Sequence, residues 1–171
     1  MTIEERLEAF EAIRKLKAAY CRNLDTKQWD ALRALFTDDA RFDGFGSAPD
    51  GSTRETFIAG LASRLAEAVS VHHCHTAEIE LIANDQAKAI WPMMDYVQWP
   101  RPIDLSEGTR AIGFMGYGFY EESYRLDHQG WRIVYSRLSR LRVDFLPDDY
   151  PAPRPGRFSA MPGFVLAVHG D

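Results

Sequence analysis

Cysteine is scarce in this chain. Two thiols, Cys21 and Cys74, in 171 residues make no disulfide framework, so the composition points to a reduced, cytoplasmic protein. Long apolar runs are missing too: no window approaches the roughly 20 apolar residues of a membrane-spanning helix. The opening MTIEERLEAFEAIRKLK is charged from residue 4 onward and does not read as a signal peptide. Positive charge is neither dominant nor clustered. The formal net charge is −5, and there is no Lys/Arg-rich run, so neither nucleic acid nor a membrane surface is an expected partner. H-E-x-x-H and C-x-x-C are both absent. The GxG of Gly116-Tyr117-Gly118 sits inside a strand pattern with no helix after it, which excludes a phosphate loop. No internal repeat is visible.

What is present suits one globular domain with a sizeable core: 46% hydrophobic and 26% charged residues. Residues 3–24 place Ile3, Leu7, Phe10, Ile13, Leu16, Tyr20 and Leu24 at steps of three or four, a helical stripe. A second short helix carries Trp29, Leu32, Leu35 and Phe36, and Asp25 followed by Gln28 resembles its capping box. Residues 40–42 suggest a short strand, and FDGFGSAPDGS reads as loop. A third helix is expected over 54–68. From residue 70 the period changes to two, giving strands at roughly 70–83, 86–99, 109–127 and 130–145. Turns are marked by Asn84-Asp85, by WPRPIDLSEG and by residues 127–130. Helices first and strands afterwards indicate an α+β fold, with the helices on one face of a curved antiparallel sheet. Residues 146–171 hold five of the nine prolines with Phe158, Met161 and Phe164 among them. The expectation is a tail that packs on the domain or on a neighbouring subunit.

Several residues are candidates for chemistry, each with an ordinary structural alternative. On the strand over 86–99, the odd positions are Ala87, Ala89, Trp91, Met93, Asp95, Val97 and Trp99. If alternation holds, Asp95 is a lone carboxylate on an apolar face and needs a partner. Arg140 is the natural one, either as a structural ion pair or as part of a site, and Pro92 could bulge the strand and shift the parity. Tyr20 lies on the stripe of the first helix, as a core tyrosine or as a hydroxyl at a pocket wall. Asp25 falls where a cap or turn residue is expected. In VHHCHTAEIE, His72 and Cys74 point one way and His73 and His75 the other. His73-x-His75 would be the metal pair, but it lacks further ligands. The odd face also carries Val71, Ala77, Ile79 and Leu81 and looks like core, so alternation alone does not choose between the imidazoles. Cys74 reads as packing. Among Phe114, Tyr117, Phe119, Tyr120 and Tyr124, one or two are expected to shape a cavity.

The order of helix, AAYCRNLDTKQWDALRALFTDDARF, helix, VHHCHTAEIEL and strands ending in GWRIVYSRLSRLRVD resembles the SnoaL-like group of the NTF2-like superfamily over roughly residues 5–145. The resemblance implies a cone with an internal pocket between a curved antiparallel sheet and three helices, the domain occupying residues 1–145. Within the group the pattern is similar to lyases of the bile acid 7α-dehydratase and scytalone dehydratase kind. It implies a site of Tyr20, Asp25, His72, Asp95 and Arg140: His72 as base, Asp25 orienting it, Tyr20 holding a carbonyl, Asp95 and Arg140 positioning substrate or managing a leaving hydroxyl. The implied reaction is dehydration of an apolar, ring-containing molecule without metal or nucleotide. Isomerisation or cyclisation by the same pair, and simple ligand binding, are the alternatives this fold also serves. Association into a dimer or trimer is expected.

Overall fold

The computed structural model describes residues 1–105 and 108–153. Three helices, α1 (Ile3–Asp25), α2 (Trp29–Ala34) and α3 (Arg54–Leu65), pack on a curved, unclosed sheet. Its strands are β1 (Phe36–Asp43), β2 (Ser52–Thr53), β3 (Val69–Cys74), β4 (Glu78–Ala83), β5 (Gln86–Asp104), β6 (Arg110–Asp127) and β7 (Gly130–Leu146). The spatial order is β2-β1-β7-β6-β5-β3, with β4 also paired to β5. The α+β cone expected from the sequence is present. One detail differs from a purely antiparallel sheet: β1 runs parallel to β7, so the sheet is mixed. Among the described residues no helix is long and apolar enough to cross a membrane.

α1 starts at a capping box. Thr2 accepts from the Glu5 backbone N–H at 3.1 Å, and the Glu5 carboxylate accepts from the Thr2 N–H at 2.6 Å. The buried stripe of α1 is Ile13, Leu16, Lys17, Tyr20 and Leu24, at helical spacing. The helix ends at Asp25, and Lys27 takes a left-handed φ of 60° to turn the chain toward α2. The capping box expected at Asp25 and Gln28 does not form. Gln28 itself is the N-cap of α2 and makes no side-chain cap bond, because the Asp25 carboxylate is engaged by β3 instead.

The single strand expected over residues 70–83 is two strands. Both pair with β5, but the register slips by one residue between them: Cys74 faces Met93 in the first, and Glu78 faces Ile90 in the second. Pro92 explains the break. Its carbonyl accepts from the His75 N–H at 2.8 Å, so this edge of β5 is the one on which a residue here would also offer an N–H, and proline has none. The chain leaves the ladder opposite Pro92 and returns one position out of step. β5 itself keeps its alternation, with Ala87, Ala89, Trp91, Met93, Asp95, Val97 and Trp99 all buried. The turn expected over WPRPIDLSEG begins later than the sequence indicated, since β5 continues to Asp104. Of the Pro-rich tail only residues 147–153 are described; Phe158, Met161 and Phe164 lie outside the described residues.

Among the described residues the core holds one ion pair with both side chains fully buried. Lys17 Nζ donates to Glu122 Oε1 at 2.7 Å, with both side chains at 1% exposure or less. Ser136 Oγ donates to the same oxygen at 2.8 Å, Tyr124 Oη donates to Glu122 Oε2, and Trp91 Nε1 donates to Tyr124 Oη at 2.8 Å. The Lys17 ammonium also lies 3.6 Å from the ring centre of Tyr120 and 4.2 Å from that of Tyr20. The network ties α1 to the middle of β5, β6 and β7. Two outcomes follow from it. Lys17→Met leaves the Glu122 charge buried and unpaired, and should cost roughly 3–5 kcal/mol in urea unfolding, whereas Lys17→Met combined with Glu122→Leu should recover most of that loss. Burial first, aided by the Glu122 charge at Tyr20 and Tyr124, raises the pKa of Tyr20, Tyr120 and Tyr124 well above the ordinary phenol value. Unfolded phenols ionise near pH 10, so the unfolded chain loses these protons first. The three tyrosines' contribution to stability should therefore be complete below about pH 10 and fall as pH rises beyond it. Phenolate absorbance from these residues should appear only together with loss of circular dichroism.

Candidate active site

A cavity of about 210 Å³ opens between the helices and the inner face of the sheet. Tyr20, His72, Asp95 and Arg140 line it, and Asp25 stands behind His72. The structure thus places four of the five sequence-derived candidates on one void and the fifth, Asp25, on His72 behind its wall.

Asp25 is the last residue of α1, which packs across β3. One carboxylate oxygen, Oδ1, lies 2.6 Å from His72 Nδ1 and accepts from Ser70 Oγ at 2.9 Å. The other, Oδ2, accepts the backbone N–H of His72 at 2.7 Å. Lys27 Nζ in turn donates to Ser70 Oγ at 2.7 Å. A carboxylate on Nδ1 fixes the neutral tautomer with the proton there, which leaves Nε2 as the acceptor. His72 is 9% exposed and sits directly across from Asp95 in the β3–β5 register, so both side chains share the inner face. Nε2 is 3.8 Å from Asp95 Oδ2. His73 and His75 are exposed and do not line the cavity. The register slip after Cys74 resolves the parity conflict, because His72 and the apolar Ile79 and Leu81 belong to different strands.

Asp95 is 2% exposed. Arg140 Nη1 and Nη2 grip its two oxygens, each at 2.7 Å. Burial works against the Arg140 charge, but the hydrogen bonds and the negative charge of Asp95 outweigh it and raise the guanidinium pKa. The pair spans β6 from β5 to β7, and Gly116 makes that possible. Gly116 pairs with Asp95 on β5, and a Cβ placed on it would lie 1.8 Å from Arg140 Nη1 and 2.3 Å from Asp95 Oδ1. A methyl group there would force the end of one or both side chains to shift.

The upper wall is aromatic. Phe45, Trp99, Phe114, Tyr120 and Phe145 face the cavity, so of the aromatic residues on β6, Phe114 and Tyr120 shape it. The two thiols lie close by, with Cys21 Sγ 3.6 Å from Cys74 Sγ. Sequence reasoning passed over Lys17, Arg64 and Glu122. Two of these carried a signal: Lys17 is on the apolar stripe of α1, and Glu122 alternates with Tyr120 and Tyr124 on β6. Among the described residues no three His, Cys, Asp or Glu side chains gather as metal ligands.

Helices closing a curved sheet over an apolar cavity, with an imidazole–carboxylate pair at one end, define an NTF2-like α+β cone. The SnoaL-like domain family matches residues 5–137, and the chain belongs to that family. It is 26% identical over 146 residues, covering 78% of this chain and 92% of the relative, to a protein of Gibberella zeae named a probable cyclase, FGR4. Its fold is similar to that of a Novosphingobium aromaticivorans protein provisionally named a scytalone dehydratase (TM-score 0.70, 17% identity, 89% of this chain and 100% of that one). It is also similar to a hexachlorocyclohexane dehydrochlorinase, LinA-type3, of Novosphingobium barchaimii (TM-score 0.67, 16% identity, 90% and 100%).

The geometry at Gly116 yields a direct test. Gly116→Ala should push the Arg140 guanidinium off Asp95 and leave a buried carboxylate short of its partner. We expect a loss of roughly 1–3 kcal/mol in urea unfolding together with weaker ligand binding. Wild-type stability in this variant would mean that the clamp tolerates a methyl group.

Proposed function

We propose that this protein is a cofactor-independent lyase of the dehydratase kind, acting on an apolar, ring-containing ketone of steroid- or polyketide-like shape. The observation that carries the reading is the 2.6 Å contact between Asp25 Oδ1 and His72 Nδ1, with Nε2 turned toward an apolar cavity. Asp25 keeps one proton on Nδ1, and Nε2 takes another from the carbon beside the substrate carbonyl. A neutral imidazole suits this step, since it works near neutral pH. Tyr20, held neutral by burial and by the Glu122 charge, donates to the carbonyl oxygen as it becomes an enolate. The enolate then reforms its carbonyl, the C–O bond at the β carbon breaks, and the departing hydroxyl takes the proton from the imidazolium and leaves as water. Asp95 and Arg140 hold the substrate beside the imidazole. A purely binding domain would need neither the Asp25–His72 bond nor an imidazole facing the void.

Isomerisation or cyclisation by the same pair is the second reading, favoured by the relative named a probable cyclase. We further propose that the tail from residue 146 packs on this domain or on a neighbouring subunit of a dimer or trimer. The Gln98 Nε2 bond to the Pro151 carbonyl at 3.0 Å supports the first contact, and the exposed Leu141 and Phe145 support the second. The free thiols Cys21 and Cys74 suit a reducing compartment, the cytoplasm.

The test is turnover of a panel of fused-ring β-hydroxy ketones followed by mass spectrometry. The product should be lighter than the substrate by one water; an unchanged mass with a new chromophore would favour the isomerase. His72→Ala should lower kcat by about 10²- to 10⁴-fold with the fold intact. Asp25→Asn should lose a comparable factor, because its amide can donate to Nδ1 and move the proton to Nε2. Undiminished turnover by His72→Ala would remove it as the base.

A further inference from the structure

Among the described residues the charges lining the cavity do not balance. Asp95 and Arg140 cancel in their clamp. One further cation, Arg64 in the last turn of α3, also lines the cavity and is not part of that pair. Its backbone carbonyl accepts the Trp99 indole N–H at 2.8 Å, and its guanidinium carbon lies 5.5 Å from the Trp99 ring centre. Among the described residues the guanidinium has no carboxylate partner. Burial is the one influence on it, and burial lowers its pKa. Stacked on the indole, the half-buried guanidinium keeps its charge and, among the described residues, has its hydrogen-bonding fork free of any carboxylate. The neighbouring loop carries a second unsatisfied group. Ser47 lines the same cavity, and among the described residues its buried Oγ has no hydrogen-bond partner. This loop is pressed onto α3 at Gly60, where a Cβ would sit 2.0 Å from the Ser47 carbonyl oxygen. Gly60 is one turn before Arg64 and on the same helix face.

The position of Arg64 relative to the imidazole is set by β5. Asp95, Val97 and Trp99 follow one another on the inner face of the strand. Four residues of extended chain separate the clamp from Trp99, roughly 13 Å. Val97, Phe114 and Leu105 line the cavity as apolar wall.

We propose that Arg64 is the specificity determinant of this pocket and that it binds an oxyanion, such as a carboxylate, at the end of the substrate remote from the reacting carbonyl. The substrate is then an elongated apolar ring compound with an acidic terminus. The guanidinium fork meets the anion in two parallel hydrogen bonds while Trp99 holds its other face. This assignment rests on the proposed reading of the cavity as a substrate site, but not on the reaction carried out there.

The experiment compares two probes with the same apolar skeleton, 4-(1-naphthyl)butyrate and the neutral 4-(1-naphthyl)butanol, by calorimetry at low salt. The full chain should bind the carboxylate about tenfold more tightly than the alcohol, the size expected of one charge-assisted contact. Arg64→Leu should abolish that preference while keeping the affinity for the alcohol. Arg64→Lys should restore part of it, and circular dichroism checks that each variant is folded. Equal affinity of the wild type for both probes, no binding of either at millimolar concentration, or a preference that survives Arg64→Leu would overturn the assignment. The carboxylate preference with no dehydration of any ketone would sink the lyase reading and leave this one standing. Dehydration of neutral ketones with no carboxylate preference would do the reverse.

Discussion

One carboxylate joins the two halves of this fold. Asp25 closes α1, and its oxygens take up the Ser70 hydroxyl, the His72 backbone N–H and the His72 ring. The end of a long helix is thereby bonded to the strand it crosses, at the point where that strand forms the cavity wall. The same bonds fix the imidazole in orientation and tautomer. A hydrophobic contact could hold the helix against the sheet but could not choose between Nδ1 and Nε2. The restraint is reinforced further along α1, where Lys17 and Glu122 meet inside the core. A buried ion pair is weak evidence for stability but narrows the ways helix and sheet can pack. Sliding α1 by one residue would separate Lys17 from Glu122 and Asp25 from His72 together.

The sheet contributes by register. His72 faces Asp95 on β5, Asp95 faces Gly116 on β6, and Gly118 faces Arg140 on β7. Arg140 therefore starts two residues along β6 from the row of His72, Asp95 and Gly116, and its long side chain leans back over Gly116 to reach Asp95. The bulge between Tyr117 and Gly118 and the small residue at 116 let Arg140 reach over β6. The slip opposite Pro92 isolates this row from the β4 end of the sheet, where the pairing is one residue out of step.

Much of this was legible from local pattern. Period two through 86–99 marked Asp95 as the odd charge on an apolar face, and the buried run from Ala87 to Trp99 has that form. Helical spacing marked Tyr20 on the inward stripe of α1. The illegible parts are those that depend on a partner distant in sequence. Asp25 reads locally as a cap, since nothing in AAYCRNLDTK announces a strand 47 residues later. The imidazoles of VHHCHT could not be sorted by alternation, because the reading assumed one strand through residue 83. The break falls opposite Pro92 on the neighbouring strand, which offers the segment a carbonyl but no N–H. Lys17 and Glu122 were legible and overlooked: a lysine on a helix stripe and a glutamate in a strand's aromatic row are what a buried pair looks like before it is paired.

The two carboxylates beside His72 raise an electrostatic question that Arg140 answers. Asp25 holds Nδ1, and Asp95 Oδ2 lies 3.8 Å from Nε2. Two free carboxylates flanking one imidazole would each draw on a ring nitrogen, whereas the proposed reaction needs Nε2 open toward the cavity. The bidentate grip of Arg140 at 2.7 Å occupies both Asp95 oxygens. It cancels the Asp95 charge at short range and keeps the carboxylate outside hydrogen-bonding distance of Nε2. In the proposed reaction the ring must begin neutral and pass through the imidazolium for one step. A paired carboxylate 3.8 Å from Nε2 suits that step, since it makes no hydrogen bond to Nε2 and still lies near the positive ring when it forms. Gly116 thus bears on the proposed reaction through the clamp alone, because a methyl group there would disturb the hold of Arg140 on Asp95 beside His72.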